Sequence, residues 1–256
     1  MMKKMKFVTR KHLLYKTRVE YGSWAINHYE GCKHGCKYCW AMRLAFRTGR
    51  VKTRREWLHP KAAKNAPDQV FAEIHSANFQ DRFHREYDWV WLCPATDPYQ
   101  LIESELHLTS SILKHLVQSQ IPVRILTKSE GVYDDEDTII RHSDLVQVGF
   151  TISTLSNDLA RSWEPDASLI HDRMKALRYF HNNGVKTWVS GEPILDSKPL
   201  DFVEELNESV DYWVFGKANY MKLPLDYPKI RNGLIQWFQA HNQTNYYIKK
   251  ELMEAA

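Results

Sequence analysis

Long apolar runs are missing from this 256-residue chain. No stretch approaches the ~20 residues of a membrane span. The N-terminus is basic but carries no apolar signal core, its charges (Lys3, Lys4, Lys6, Arg10, Lys11) falling throughout. Cysteine is scarce, with four in the whole chain, which excludes a disulfide framework. Tandem repeats, low-complexity tracts and Gly/Ser linkers are absent as well. A hydrophobic content of 43% is enough for a real core and argues against disorder. These absences predict a cytoplasmic protein without a membrane partner. Acidic residues are scarce at one end only. Residues 1–64 hold 17 Lys/Arg against 3 Asp/Glu, a net +14, whereas residues 65–256 hold 18 against 28, a net −10. The basic segment predicts an anionic partner (nucleic acid, a nucleotide or an acidic electron donor), with a merely solvated basic face as the competing reading.

Three of the four cysteines fall in Gly31-Cys32-Lys33-His34-Gly35-Cys36-Lys37-Tyr38-Cys39-Trp40, spaced C-x3-C-x2-C. Three thiolates can hold three irons of a four-iron four-sulfur cluster, and the missing fourth leaves one iron open to a small molecule. Two other readings use the same residues. Cys32, Cys36, Cys39 and His34 make a Cys3His set for zinc, but His34 sits in a cramped place inside the loop and no second distant pair follows. Cys36 and Cys39 also form a C-x2-C redox pair, without the βαβ context such a pair needs.

Short apolar runs then alternate with helical patterns. Strands are predicted at Gly22–Tyr29, Trp89–Cys93, Val123–Thr127, Leu145–Ile152, Val185–Val189 and Tyr212–Phe215. Helices are predicted at Trp40–Phe46, residues 68–78, Leu101–Gln118, Asp135–His142, Ser168–Asn182, Leu200–Asn207 and Ile230–His241. Residues 50–66 read as irregular. Such alternation implies a parallel sheet with helices outside. Six units are too few for a closed eight-stranded barrel, so the expected fold is α/β, a partial (β/α)6 TIM-like barrel. The predicted organisation is a basic lead-in over 1–21, a core over 22–220, and a helical extension over 221–256 that closes the open side. Polar residues follow each apolar run, as function at the C-terminal ends of parallel strands requires.

The cysteine motif with Tyr38 before its last cysteine resembles the signature of the radical S-adenosylmethionine (radical SAM) superfamily. GCKHGCKYCWA, TDPYQ, LTKS and ISTLSNDLARSWEPDAS together resemble the spore photoproduct lyase-like, or DNA repair photolyase-like, branch, over residues 22–220. The resemblance implies the same partial barrel and one 4Fe-4S cluster on Cys32, Cys36 and Cys39. It further implies S-adenosylmethionine (SAM) chelated to the open iron, and reductive cleavage of SAM to a 5′-deoxyadenosyl radical that takes hydrogen from an unassigned substrate. A reduced flavodoxin- or ferredoxin-type donor is implied as partner. Outside the resemblance, the alternative classes are a non-catalytic metal- or nucleic-acid-binding module and a thiol redox protein.

Residue by residue, the resemblance implies Tyr38 near the adenine, Thr96 and Asp97 at the SAM amino group in place of the family's Gly-Gly-Glu form, and Lys128 at the SAM carboxylate. Thr151 and Ser153, two apart on one strand, share a face suited to ribose hydroxyls. Glu192 is a weaker cofactor candidate, and Lys217, Asn219 and Tyr99 are weak catalytic candidates. Glu164-Pro165 matches a recurrent pair whose carboxylate has Arg173 as a candidate partner. Cys93 departs from the pattern. It lies three residues before Thr96, where spore photoproduct lyase places its donor cysteine two before, and a one-residue shift turns a strand side chain to the other face. Cys93 is therefore expected to be a small buried residue rather than a hydrogen donor.

Overall fold

The computed structural model describes residues 6–19 and 22–255. Residues 1–5, 20, 21 and 256, which include Lys3 and Lys4 of the basic lead-in, lie outside the described residues. The main sheet has eight strands: β1 (Leu14–Lys16), β2 (Trp24–Ile26), β3 (Val90–Leu92), β4 (Val123–Thr127), β5 (Val146–Thr151), β6 (Lys186–Gly191), β7 (Tyr212–Phe215) and β8 (Tyr246–Ile248). Their spatial order is their chain order. Only β1 pairs antiparallel, with β2. Every other neighbour is parallel, as in Val123↔Val146 through Thr127↔Phe150 between β4 and β5. The principal helices are α1 (Trp40–Arg47), α2 (Ala66–Ile74), α3 (Leu108–Gln118), α4 (Ile170–Asn182), α5 (Pro199–Leu206) and α6 (Tyr227–Ala240).

Side-chain period explains the layers. In β4, Val123 and Ile125 join the main core beneath the helices, whereas Leu126 turns to the concave side. In α4 the stripe Ile170, Met174, Leu177 and Phe180 is buried as its spacing predicts. Burial of each such side chain contributes about 1.5–3 kcal/mol. On the concave side Trp91, Trp188, Val214 and Leu126 form a second apolar cluster that plugs the barrel interior. Gly149 of β5 makes room for it, since a Cβ there would fall inside the Trp188 indole. Gly149→Ala should therefore overpack this plug and lower stability by about 1–3 kcal/mol, read as a lower urea midpoint at unchanged slope.

The expected α/β partial barrel is present, with several departures from the predicted elements. The basic lead-in carries β1, paired with the core strand β2, and residues 50–66, read as irregular, hold a short helix (Arg54–Trp57) and a strand (Lys61–Ala63). The tail is not purely helical. After α6, Tyr246 and Tyr247 lie on β8, a seventh parallel strand that extends the sheet beyond β7. The first predicted strand is broken, with Tyr29–Glu30 leaving β2 to join a small second sheet beside Lys61–Ala63 and Lys6–Val8. The predicted helix over 101–118 breaks at His107, whose φ is +50°. There the Glu103 carboxylate accepts the Thr109 and Ser110 N–H groups at 2.7 and 3.2 Å, capping α3 from the preceding turn.

Candidate active site

A cavity of about 420 Å³ opens at the C-terminal ends of the parallel strands, a volume suited to a small-molecule site. Its near wall is the cysteine loop, which follows β2. Gly31, at φ +92°, turns the chain where a Cβ would come within 2.5 Å of the Trp57 carbonyl oxygen. The loop is then tied from several sides. Cys32 N–H donates to Trp57 O at 3.1 Å, Lys33 N–H to Gln100 Oε1 at 2.9 Å, and Lys37 N–H to Trp163 O at 2.8 Å. Cys39 caps α1, its Sγ accepting the Met42 N–H at 3.3 Å. All three thiols line the cavity. Burial raises each thiol's pKa, that of Cys36 to about 12. Bound iron would reverse that balance, because ligation requires and stabilises thiolates.

The donor set fits a thiolate-bound cluster. His34 does not complete a zinc site with it. His34 is buried with Nδ1 3.0 Å from Asp166 O and Nε2 3.1 Å from Asp97 Oδ2, so both ring nitrogens are engaged away from the thiols. Among the described residues no three His, Cys, Asp or Glu side chains are placed to hold one metal ion.

Asp97 lines the cavity after β3, but its carboxylate is already occupied. Oδ1 accepts Tyr99 N–H at 2.9 Å and the Thr127 hydroxyl at 2.7 Å, while Oδ2 accepts Lys128 N–H at 2.8 Å and faces His34. Burial opposes its charge, yet His34, Thr127 and Lys128 together hold its pKa below the usual carboxylate value. Asp97 thus ties the cysteine loop to the ends of β3 and β4, with little capacity left for a ligand. Thr96 beside it keeps a buried hydroxyl on the cavity wall, directed at the Cys93 sulfur.

The opposite side of the loop meets a second buried network. The Tyr38 hydroxyl donates to Glu164 Oε1. Glu164 Oε2 lies 2.6 Å from an Arg173 Nη, both side chains being almost fully buried. Arg173 also donates to Ser168 O and Thr151 O, each at 2.9 Å. Lys128 reaches into the cavity, its Nζ 3.2 Å from Thr151 Oγ1 and 5.7 Å from the Tyr38 ring centre. Burial works against its charge, but Cys36 and Glu164 hold its pKa above the ordinary lysine value.

The far wall comes from β6, β7 and β8. Glu192 lines it and pairs with Lys249 at 2.8 Å. Lys217 and Asn219 line it after β7. Two expected site residues sit elsewhere. Tyr99 is buried behind the wall, bonded to Asp135 at 2.9 Å. Ser153 is buried off the cavity, because β5 ends at Thr151 and the two-residue alternation stops there. Lys249 and Glu251 line the cavity without having been anticipated. Their signal was the apolar run Tyr246-Tyr247-Ile248 followed by charge, the same pattern that marked the earlier strand ends.

Cys93 is buried and packs with Tyr29, Ala62, Ile102 and Leu108, although part of it also faces the cavity. Its sulfur lies 3.4 Å from His28 Nδ1. The Thr109 hydroxyl donates to Pro98 O at 2.6 Å, so His28 Nε2–H must donate to Thr109 at 2.8 Å. That tautomer leaves Nδ1 to accept the Cys93 S–H. Burial lowers the His28 pKa to about 3 and raises that of Cys93 to about 12, so the pair is neutral.

Comparison with known proteins agrees with this geometry. The Radical SAM superfamily profile matches residues 26–208. The uncharacterized protein MJ0683 of Methanocaldococcus jannaschii is 28% identical over 179 residues, covering 70% of this chain and 63% of its own length. The uncharacterized protein Rv2578c of Mycobacterium tuberculosis is 26% identical over 178 residues, covering 67% of this chain and 49% of its own. The chain thus spans roughly half to just under two thirds of the length of these relatives. Spore photoproduct lyase complexed with dinucleoside spore photoproduct superposes with a TM-score of 0.71 at 17% identity, covering 95% of this chain and 82% of that one. SuiB of Streptococcus suis bound to S-adenosylmethionine superposes at 0.51 and 13% identity, covering 63% and 38%. These structural likenesses are of fold. With a profile match over most of the chain, the three-thiol loop at the mouth of a partial barrel has its explanation: the protein belongs to the radical SAM superfamily.

Proposed function

We propose that Cys32, Cys36 and Cys39 hold a 4Fe-4S cluster and that the adjoining cavity binds SAM. When bound, the cluster would supply the electron for reductive cleavage of SAM, and with it the hydrogen-abstracting chemistry of this superfamily. The observation that carries this reading is that all three loop thiols line one cavity, which Lys128 lines as well. The Lys128 ammonium pairs with the SAM carboxylate, a charge-assisted contact. The Thr96 hydroxyl serves the amino group and Thr151 a ribose hydroxyl. Asp97 and Tyr38 act as positioning residues, the first holding the loop against β4 and the second bracing Lys128. Lys217, Asn219 and the Glu192–Lys249 pair, on the far wall, face the substrate.

Anaerobic reconstitution followed by dithionite and SAM tests the reaction directly. The expected products are methionine and 5′-deoxyadenosine, from a protein containing iron and sulfide. Zinc without iron after anaerobic purification, or no 5′-deoxyadenosine, would reject it. Cys93 is held by His28 in a neutral hydrogen-bonded pair, with only part of its side chain at the cavity, so Cys93→Ala should retain 5′-deoxyadenosine formation. Turnover lost with the cluster intact would give Cys93 a chemical role instead.

A further inference from the structure

The concentration of positive charge on the cysteine-loop segment has a defined place on the surface. α1 begins immediately after Cys39. Its inward residues Ala41, Met42 and Ala45 pack with Cys32, Val51 and Trp57. Its outward face, and the chain on either side of it, expose Lys37, Arg43, Arg47, Arg50, Lys52 and Arg55. No Asp or Glu occurs between Glu30 and Glu56. Among the described residues these six cations make no ion pair. Trp40, Arg43 and Arg47 fall at i, i+3 and i+7, on one side of the helix, and Trp40 is 44% exposed. Trp40 thus lies one residue beyond a proposed cluster ligand, at the edge of the cavity, with exposed cations at Lys37, Arg43 and Arg47 along the same stretch of chain.

We propose that this face of α1 and the loop after it is the docking surface for an acidic redox protein that delivers the reducing electron. The inference rests on the proposed reaction and names its partner. In that transfer the partner's carrier is oxidised by one electron and the centre on Cys32, Cys36 and Cys39 is reduced by one. No atom changes hands. The placement of charge favours an electron donor over a polyanionic substrate. The far wall mixes signs, with Glu251 beside the Glu192–Lys249 pair, and residues 65–256 carry a net −10. A polyanion led into the cavity would be drawn to the cysteine loop and opposed farther along. A redox protein needs only the loop side, where Arg43 and Arg47 of α1 lie outside the cavity and Trp40 stands at its edge. Complementary charge of this kind raises encounter rates about 10- to 1,000-fold and loses its effect as salt rises.

The test uses the reconstituted protein with two reductants, dithionite and a reduced flavodoxin, an acidic flavin-carrying protein. In Arg43→Glu/Arg47→Glu the flavodoxin-driven rate of 5′-deoxyadenosine formation should fall about tenfold or more, and the dithionite-driven rate should be unchanged. Flavodoxin binding, followed by fluorescence anisotropy, should weaken with salt for the unaltered protein and be lost in the variant. Arg43→Gln/Arg47→Gln gives the same direction with a smaller effect, should the double reversal not fold. Equal flavodoxin-driven rates and equal binding in the variants would overturn the proposal. So would a single-stranded oligonucleotide whose binding depends on these arginines when flavodoxin binding does not. Failure of the unaltered protein to form 5′-deoxyadenosine with dithionite counts against the reaction itself, and the binding arm then judges the surface alone.

Discussion

Cys36→Ala is expected to remove iron and sulfide from the reconstituted protein and to bring 5′-deoxyadenosine formation below detection. The loop offers three thiols and no substitute. His34 is held between Asp97 and Asp166, and Cys93 is held by His28. Two thiolates cannot retain a cluster that three hold incompletely. The loss should be functional rather than structural. Cys36 is only half-buried, and the backbone bonds that shape the loop come from Trp57, Gln100 and Trp163. The urea midpoint of the metal-free variant should therefore match that of the metal-free parent to within about 0.5 kcal/mol. Full iron content in Cys36→Ala would show that the cluster has another ligand set.

The second large effect is on stability. Arg173→Ala strands the Glu164 carboxylate in a fully buried position, and breaking such a pair from one side costs about 3–5 kcal/mol. Two backbone contacts of Arg173, to Ser168 and Thr151, are lost with it. Replacing both charges, as in Glu164→Gln/Arg173→Met, should recover a substantial part of that loss, because neither member of the pair is left charged without the other. Urea unfolding of the two variants checks the difference, and equal destabilisation would mean the network acts through shape rather than charge. The pH dependence has a definite sign. Burial raises the Glu164 pKa, but Arg173, Lys128 and Tyr38 outweigh it and hold the folded value below the ordinary 4.5. The pair's contribution is therefore present above that value and fades as pH falls through the lower folded one. The parent should lose more stability on acidification than the double variant.

Much of the fold could be read from the chain because its strands are short apolar runs bounded by polar strand ends, and α4 carries a clean helical stripe. Where reading failed, long-range partners decided the local structure. Tyr246-Tyr247-Ile248 is a strand because β7 offers it an edge, and a three-residue run says little by itself. The helix break at His107 depends on the Glu103 carboxylate folding over onto α3. In the site, the cysteine loop was legible because its spacing is local. The occupation of Asp97 was not, since its partners His34, Thr127 and Lys128 come from two other strand ends. The Arg173 partnership was foreseen only as one option, because sequence distance conceals burial. Ser153 was placed beside Thr151 by alternation, a rule that holds only as long as the strand does.

The short β8 has one more consequence, which concerns self-association. Without it, Tyr212–Phe215, three of whose four residues are buried, would present an apolar edge of unpaired N–H and C=O groups, a template on which another chain could add a strand. β8 covers that edge with only three residues and is followed at once by Lys249 and Lys250. A brief strand followed by an exposed lysine, Lys250, is a poor template for further pairing. The segment that brings Lys249 and Glu251 to the far wall thus also guards the sheet against aggregation. Shortening the chain before Asn245 would be expected to yield oligomers and aggregates as well as an incomplete cavity.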